Sequence, residues 1–353
     1  MTEATVPRYV PILKGKRGEF DALRDLREPT RAGIYPLIEV LPSPEEQDVD
    51  ADVGKALDAL AVRWFAEPVM IDVGYFDLEP DNGRTALGAA MDMAKGRLEH
   101  PVPVFRLADP RAVRSDAARA ASAHGHGVAL RLISEDLDVE PDELSGEIAH
   151  ALDDVGLDPA RLDVIFDLGA ITGDVAVLGG ARLVTSLLRE LDRMSEYRSV
   201  TIAAGAFPVD LSSVTPWTLG EHPRDDAALY NRIRSRPMTR TIDYGDYAIA
   251  HPLLTSSVPF SPPPQLRYTV ADRWLTLKAR RNDPRGNDQF YDVCATIARH
   301  PAFVGADLGA ADLRIARGRA GGYGPGNATT WRTIGTMHHA DLVVSRLTNL
   351  GEP

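Results

Sequence analysis

What most constrains this chain is an alternation. A short run of apolar, β-branched residues is followed by a turn and then by a stretch rich in Ala, Leu, Glu and Arg, and the unit repeats through the first two-thirds of the sequence. The predicted strands are Tyr9–Lys14, Ile34–Val40, Pro68–Val73, Val102–Leu107, Gly127–Ile133, Leu162–Leu168, Val200–Ala204 and Asp246–Ala250. Helices are predicted between them near 18–27, 54–64, 84–98, 110–123, 144–154 and 176–194, where Ala and Leu recur at helical spacing. Pro110 suits a first helical turn, and Gly156 follows the end of another helix.

Strands that alternate with helices pair in parallel through right-handed crossovers. Six or more such units, with no GxGxxG turn after the first strand, favour an α/β fold of the closed (β/α)8, TIM-like barrel type. A doubly wound open sheet is the alternative. The stretch from 208 to 237 is less regular, with Trp217 and one short helical piece at Asp225–Ile233, and reads as a loop excursion over one barrel face.

Beyond about residue 252 the pattern changes. Ser256 to Pro264 reads as a connector, Leu266–Val270 and Trp274–Lys278 as a β-hairpin, and Asn287–Ala298 as a helix. A glycine-rich loop follows over 319–327, and Thr329–Leu347 forms a last helix. The expected organisation is a barrel over 1–255 and a C-terminal α+β extension over 256–353 packed on it.

Composition limits the function classes. With 353 residues, 44% hydrophobic and 25% charged, the chain can bury a large core without staples. Its one cysteine, Cys294, lies in an apolar run and reads as core packing rather than as a catalytic thiol. No apolar run approaches the ~20 residues that cross a bilayer, and Met1 to Ala4 lack the basic and apolar regions of a signal peptide. A cytoplasmic protein with no membrane partner is expected. The formal net charge of −12 argues against nucleic acid as a partner bound broadly through its backbone.

One regularity appears when the strands are stacked. Near the end of each early strand an apolar residue is followed two positions later by an ionisable one: Ile12/Lys14, Leu37/Glu39, Met70/Asp72, Val104/Arg106, Ala129/Arg131 and Ile165/Asp167. Residues two apart on a strand share a face. If the apolar members fill the barrel, the ionisable ones ring its carboxyl-end mouth, where barrel enzymes keep their active sites. In the functional reading Arg106 and Arg131 clamp an anion and Lys14 stabilises developing charge, while Glu39 is the acid and Asp72 and Asp167 serve as base or as Mg²⁺ ligands. In the plain reading strand ends simply turn polar, and three cations pair with three acids.

Two other places attract attention. Asp243-Tyr244-Gly245-Asp246-Tyr247 leads to His251, which reaches the same rim if the strand runs from 246 to 251. It also reads as an ordinary turn. Gly324 to Arg332 is a glycine-rich entry into a helix that carries His338-His339, so backbone N–H groups there are candidates to hold an anion. Tyr244, His251 and His338 thus join Arg106 and Arg131 as candidate ligand-binding residues. Adjacent histidines point about 100° apart on a helix, so the pair cannot grip one metal as an i, i+4 pair does. The sequence contains no HExxH, CxxC, GxSxG or P-loop motif.

Taken together, several segments resemble the "beta protein" family of phages and bacteria. They are Tyr9-Val-Pro-Ile-Leu-Lys14-Gly-Lys16-Arg-Gly-Glu19, Pro36-Leu-Ile-Glu39, Thr201 to Pro208, Asp243-Tyr-Gly245, Leu266-Arg267-Tyr268 and the Trp331…His338-His339 stretch. The region Leu277-Lys278-Ala279-Arg280-Arg281 departs from the Arg-Gly that follows the tryptophan-containing strand in the family. The resemblance implies a barrel-like fold and a setting in phage–host conflict, and brings no assigned catalytic residues. The expectation is a small anionic ligand at the carboxyl-end mouth, with metal-assisted hydrolysis as one chemistry. The alternative is a non-catalytic protein-interaction component of a defence or counter-defence system, with another protein as its partner.

Overall fold

The computed structural model describes residues 6–44, 48–80, 83–254 and 261–353. Its first half is a strict alternation: β1 (Tyr9–Leu13), α1 (Arg17–Asp25), β2 (Leu37–Glu39), α2 (Val49–Trp64), β3 (Val69–Asp72), α3 (Ala86–Ala94), β4 (Pro101–Phe105) and α4 (Arg111–His124). It continues with β5 (Val128–Leu132), α5 (Pro141–Val155), β6 (Leu162–Ala170), α6 (Asp174–Glu190) and β7 (Ser199–Gly205). Then come β8 (Gly220–Pro223), α7 (Asp225–Arg234), β9 (Asp243–Asp246), β10 (Gln265–Thr269), β11 (Arg273–Lys278), α8 (Gln289–Ala298), α9 (Ala310–Arg317) and α10 (Ala328–Leu350).

Eight strands, β1 to β7 and β9, close into a parallel barrel. The predicted TIM-like architecture is what forms. Local chemistry explains the helices around it. In α5 the buried residues Leu144, Ile148, Ala151, Leu152 and Val155 make one apolar stripe, and Gly156 ends the helix in the left-handed region at φ 63°.

The barrel interior is a single packed layer set: Val10, Ile12, Leu37, Met70, Val102, Val104, Ala129, Ile165, Ala203, Tyr35 and Tyr247. All six apolar members of the residue pairs are in it.

The eighth barrel strand lies earlier than the predicted Asp246–Ala250. It is Asp243–Asp246, and Ala248, at φ 51°, turns the chain away. The strand was hidden because its polar residues have partners elsewhere in the fold: Arg8 binds Asp243 through backbone and side chain, and Tyr9 donates to Asp246 at 2.6 Å. Gly245 faces the narrow interior, where a Cβ would sit 2.8 Å from that of Ala203.

The predicted hairpin forms as β10 and β11, and β8 joins it as a third antiparallel strand. The excursion after β7 is therefore partly sheet, which its sequence Gly220-Glu-His-Pro did not suggest. Helix α9 was also unforeseen. The last helix, α10, packs along α1 and β10 and against β1. Thr333 donates to the Gly18 carbonyl at 3.0 Å, His339 meets Asp246 of β9 at 2.8 Å, and Arg234 of α7 reaches the Leu350 carbonyl. Helix α10 thus fills the place of an eighth barrel helix, between α7 and α1. The connector predicted over 256–264 lies mostly outside the described residues, as does the Met1–Ala4 terminus. Among the described residues no helix is long and apolar enough to cross a membrane. Cys294 is buried and its thiol is pushed up to about 12 by burial, in keeping with core packing.

Candidate functional site

The carboxyl ends of the strands bring all six ionisable ring residues together. Arg131, on β5, sits at the centre with 4% exposure. Its Nε and Nη2 donate to Asp167 Oδ2 at 2.9 and 2.6 Å, and its Nη1 donates to Glu39 Oε1 at 2.9 Å and to Asp72 Oδ2 at 2.6 Å. Nη2 also donates to the Tyr247 hydroxyl at 2.8 Å, which in turn donates to Asp167 at 2.6 Å. Lys14 Nζ lies 2.6 Å from Glu39 Oε2 and donates to the Tyr75 hydroxyl at 2.7 Å and to the Pro252 carbonyl.

Arg106 closes the arc, donating to Asp72 Oδ2 at 2.7 Å. It lies over Gly74 so closely that a Cβ there would be 2.1 Å from Nη1. At 18% side-chain exposure it is the most open cation of the ring, against 3% for Lys14 and 5% for Arg131.

The electrostatics follow from this packing. Burial alone would raise the Asp72 carboxyl, but Arg106, Arg131 and the Gly74 N–H outweigh it and hold it at about 2. Burial opposes the Arg131 charge, and Asp167, Tyr247, Glu39 and Asp72 more than restore it. The ring is a closed set of three cations and three carboxylates, each carboxylate already accepting from or paired with a cation.

His251 arrives at the rim by the turn after β9 rather than on a strand. It is half-buried, accepts from Leu253 N at 3.0 Å, and burial with nearby Lys14 lowers its pKa. Tyr244 and His338 are not brought to the ring. Tyr244 points outward from the barrel, where it accepts from Arg224 at 3.0 Å and bonds to Asp226 and Asp246. His338 is fully buried, stacked on Tyr268 at 3.8 Å, with Nδ1 on Asp312 and Nε2 on the Thr269 carbonyl. The glycine-rich entry to α10 is capped by its own residue, because the Asn327 side chain accepts from the N–H groups of Thr329 and Thr330.

A second feature of the same end escaped the sequence reading. A cavity of about 560 Å³ opens beside the mouth, bounded by the β7–β8 loop, the turn after β9, the β10–β11 hairpin and the start of α10. Its lining includes four cations, Arg267, Lys278, Arg281 and Arg332, against one carboxylate, Asp210. Cross-strand register places Lys278 opposite Gln265, and Arg267 lies two residues along, so these side chains share one face of the hairpin. Arg267 lies over the Phe207 ring at 4.7 Å, donates to the Ile249 carbonyl at 2.6 Å, and has no carboxylate at ion-pair distance among the described residues. Burial and the neighbouring Arg332 depress its pKa to about 9. Arg332 pairs with Glu19 at 3.1 Å. The signal available in sequence was the alternation of Gln265, Arg267 and Lys278 on a hairpin, which is legible only once the register is known.

A family model described as Beta protein matches residues 9–345 of this chain. Among curated proteins no match is found. Among solved structures, a triosephosphate isomerase from Bartonella henselae is similar at 10% identity and a TM-score of 0.37, over 69% of this chain and 92% of that one.

Proposed function

The chain belongs to the Beta protein family, and from the geometry of its carboxyl end we propose that it binds a small anionic ligand there, in the cavity beside the charged ring. One observation carries this reading. Four cations and one carboxylate line the cavity, and Glu19 pairs with one of those cations, Arg332, so the wall stays cationic in a chain whose formal net charge is −12. Such a local excess is what an anion site requires in an acidic protein. Arg267 strengthens it: its guanidinium lies against the Phe207 ring at the cavity wall, gives one donor to the Ile249 carbonyl, and has no carboxylate at ion-pair distance among the described residues.

The ring supports the site from beside it. An anion entering the ring would have to break existing pairs, because Arg131 already holds Glu39, Asp72 and Asp167. Asp72 and Asp167 fit a Mg²⁺ site poorly for the same reason, and no group of three or more His, Cys, Asp or Glu side chains among the described residues is placed to hold a metal. The ring keeps the strand ends and Tyr247 in register.

Calorimetric titration with orthophosphate and a panel of phosphorylated metabolites tests the proposal. The expected result is saturable binding that Arg267→Gln weakens at least tenfold, the scale of one charge-assisted hydrogen bond of about 1.5–3 kcal/mol. Lys278→Gln, on the same face of the hairpin, is expected to weaken it in the same direction. Arg106→Gln leaves binding intact. Loss in Arg106→Gln with full binding in Arg267→Gln would move the site to the ring and overturn this reading.

A further inference from the structure

The cavity is larger than its charges require. Its volume of about 560 Å³ falls within the ~300–1,000 Å³ typical of sites for organic ligands. The lining outside the cations is largely apolar: Val209, Leu211, Ile249, Pro262, Pro263 and Trp331 contribute to it. Ile249 belongs to a compact buried cluster with Phe207 and Trp274, and Trp331 stacks on Phe290 at 5.5 Å, so these walls are rigid surfaces rather than mobile side chains. Ser212 and Gln265 add neutral polar groups at the edge.

The cations are arranged for a compact, multiply charged group. Arg267 and Lys278 project from one hairpin face and Arg332 joins them from α10. Two arginines offer planar forks that match tetrahedral oxyanions, and lysine adds a point charge. Arg267 already gives one donor to the Ile249 carbonyl and Arg332 one to Glu19; a phosphate dianion, with more acceptor oxygens than a carboxylate, has the capacity to meet the donors that remain on both.

Resting on the anion-binding reading above, we propose that the ligand is a phosphomonoester of a ring-bearing organic group, its phosphate held by Arg267, Lys278 and Arg332 and its ring laid on the Ile249, Pro262 and Pro263 wall. The two parts of the cavity then have two separable contributions. The cations supply affinity for the dianion, and the apolar wall selects a ligand with a body over a free ion.

The test uses the full chain and three probes: orthophosphate, phenyl phosphate and benzoate. Phenyl phosphate is expected to bind at least tenfold more tightly than orthophosphate, and benzoate at least tenfold more weakly than phenyl phosphate. In Ala328→Phe, which narrows the cavity without removing a charged group, phenyl phosphate drops to the level of orthophosphate while orthophosphate is unchanged; retained orthophosphate binding also reports that the variant is folded. Equal affinity for orthophosphate and phenyl phosphate would overturn the organic body and leave the anion site standing. Benzoate binding as tightly as phenyl phosphate would overturn the phosphate. Absence of binding by all three probes would sink both this inference and the anion-binding reading.

Discussion

Arg131 shows how one residue in this fold binds several elements together. Its guanidinium touches side chains from β2, β3 and β6 and from the turn after β9, and it is shielded from water on every side. Deleting it leaves three carboxylates crowded in low dielectric with their shared partner gone. Removing one member of a buried ion network costs about 3–5 kcal/mol, so Arg131→Ala is expected to lower unfolding free energy by that amount in urea denaturation. Arg106→Ala removes a partly exposed partner from Asp72, which Arg131 still holds, and is expected to cost less than half as much. The ring itself was legible from a two-residue offset at six strand ends, because strand geometry alone puts such residues on one face. Tyr247 was not, since it reaches Arg131 from a turn whose direction depends on Ala248 at φ 51°.

At the scale of elements, contact distances decide what a residue tolerates. Gly18 lies where α1 meets α10, and a Cβ there would be 2.9 Å from the Thr329 carbonyl oxygen and 3.0 Å from Arg332 Cβ. Gly18→Ala is therefore expected to destabilise by about 1–3 kcal/mol, as overpacking does. Gly146, inside α5, has open space around it. Gly146→Ala is expected to stabilise by about 0.5–1 kcal/mol, because alanine loses less freedom on entering a helix. Thermal melts of the two variants, run side by side, check both signs. A destabilised Gly146→Ala would show that helix propensity does not govern that position. The contrast also identifies α10 as part of the barrel wall. Its sequence promised a terminal helix and nothing about where it docks.

For the whole molecule, buried carboxylates set the pH response. Asp72 is held at about 2, below its unfolded value, so its contribution is present above the ordinary carboxylate range and is lost as pH falls toward 2. Asp341 runs the other way. Burial raises it to about 6 against the Thr30 hydrogen bond and His338, so the stability tied to its protonated form is lost as pH rises through 6. Asp226 is raised in the same direction, by burial and by Asp246. Self-repulsion in a chain of net charge −12 adds to the loss at high pH. The melting temperature is expected to peak near about pH 4, to fall below it as Asp72 protonates, and to fall above it toward about pH 6 as Asp341 and Asp226 ionise. Asp341→Asn is expected to flatten the alkaline limb; an unchanged limb would show that this carboxyl does not control it.

The alternation of strand and helix by itself determined parallel β/α units and favoured the closed barrel over an open sheet, and strand periodicity put Lys14, Glu39, Asp72, Arg106, Arg131 and Asp167 at one carboxyl end. Both rest on local rules: a periodicity of two or of 3.6 is written into neighbouring residues. What only the tertiary structure decided is how those charges are used and where an anion finds room. The six ring residues satisfy one another across the mouth, a matter of distances between strands far apart in sequence. The cationic cavity is assembled from the β7–β8 loop, the β10–β11 hairpin and α10, which together span residues 209 to 332, and its register and docking are properties of the folded chain alone. The polar strand Asp243–Asp246 marks the same boundary: its residues look like a turn until the partners that bury them are in place.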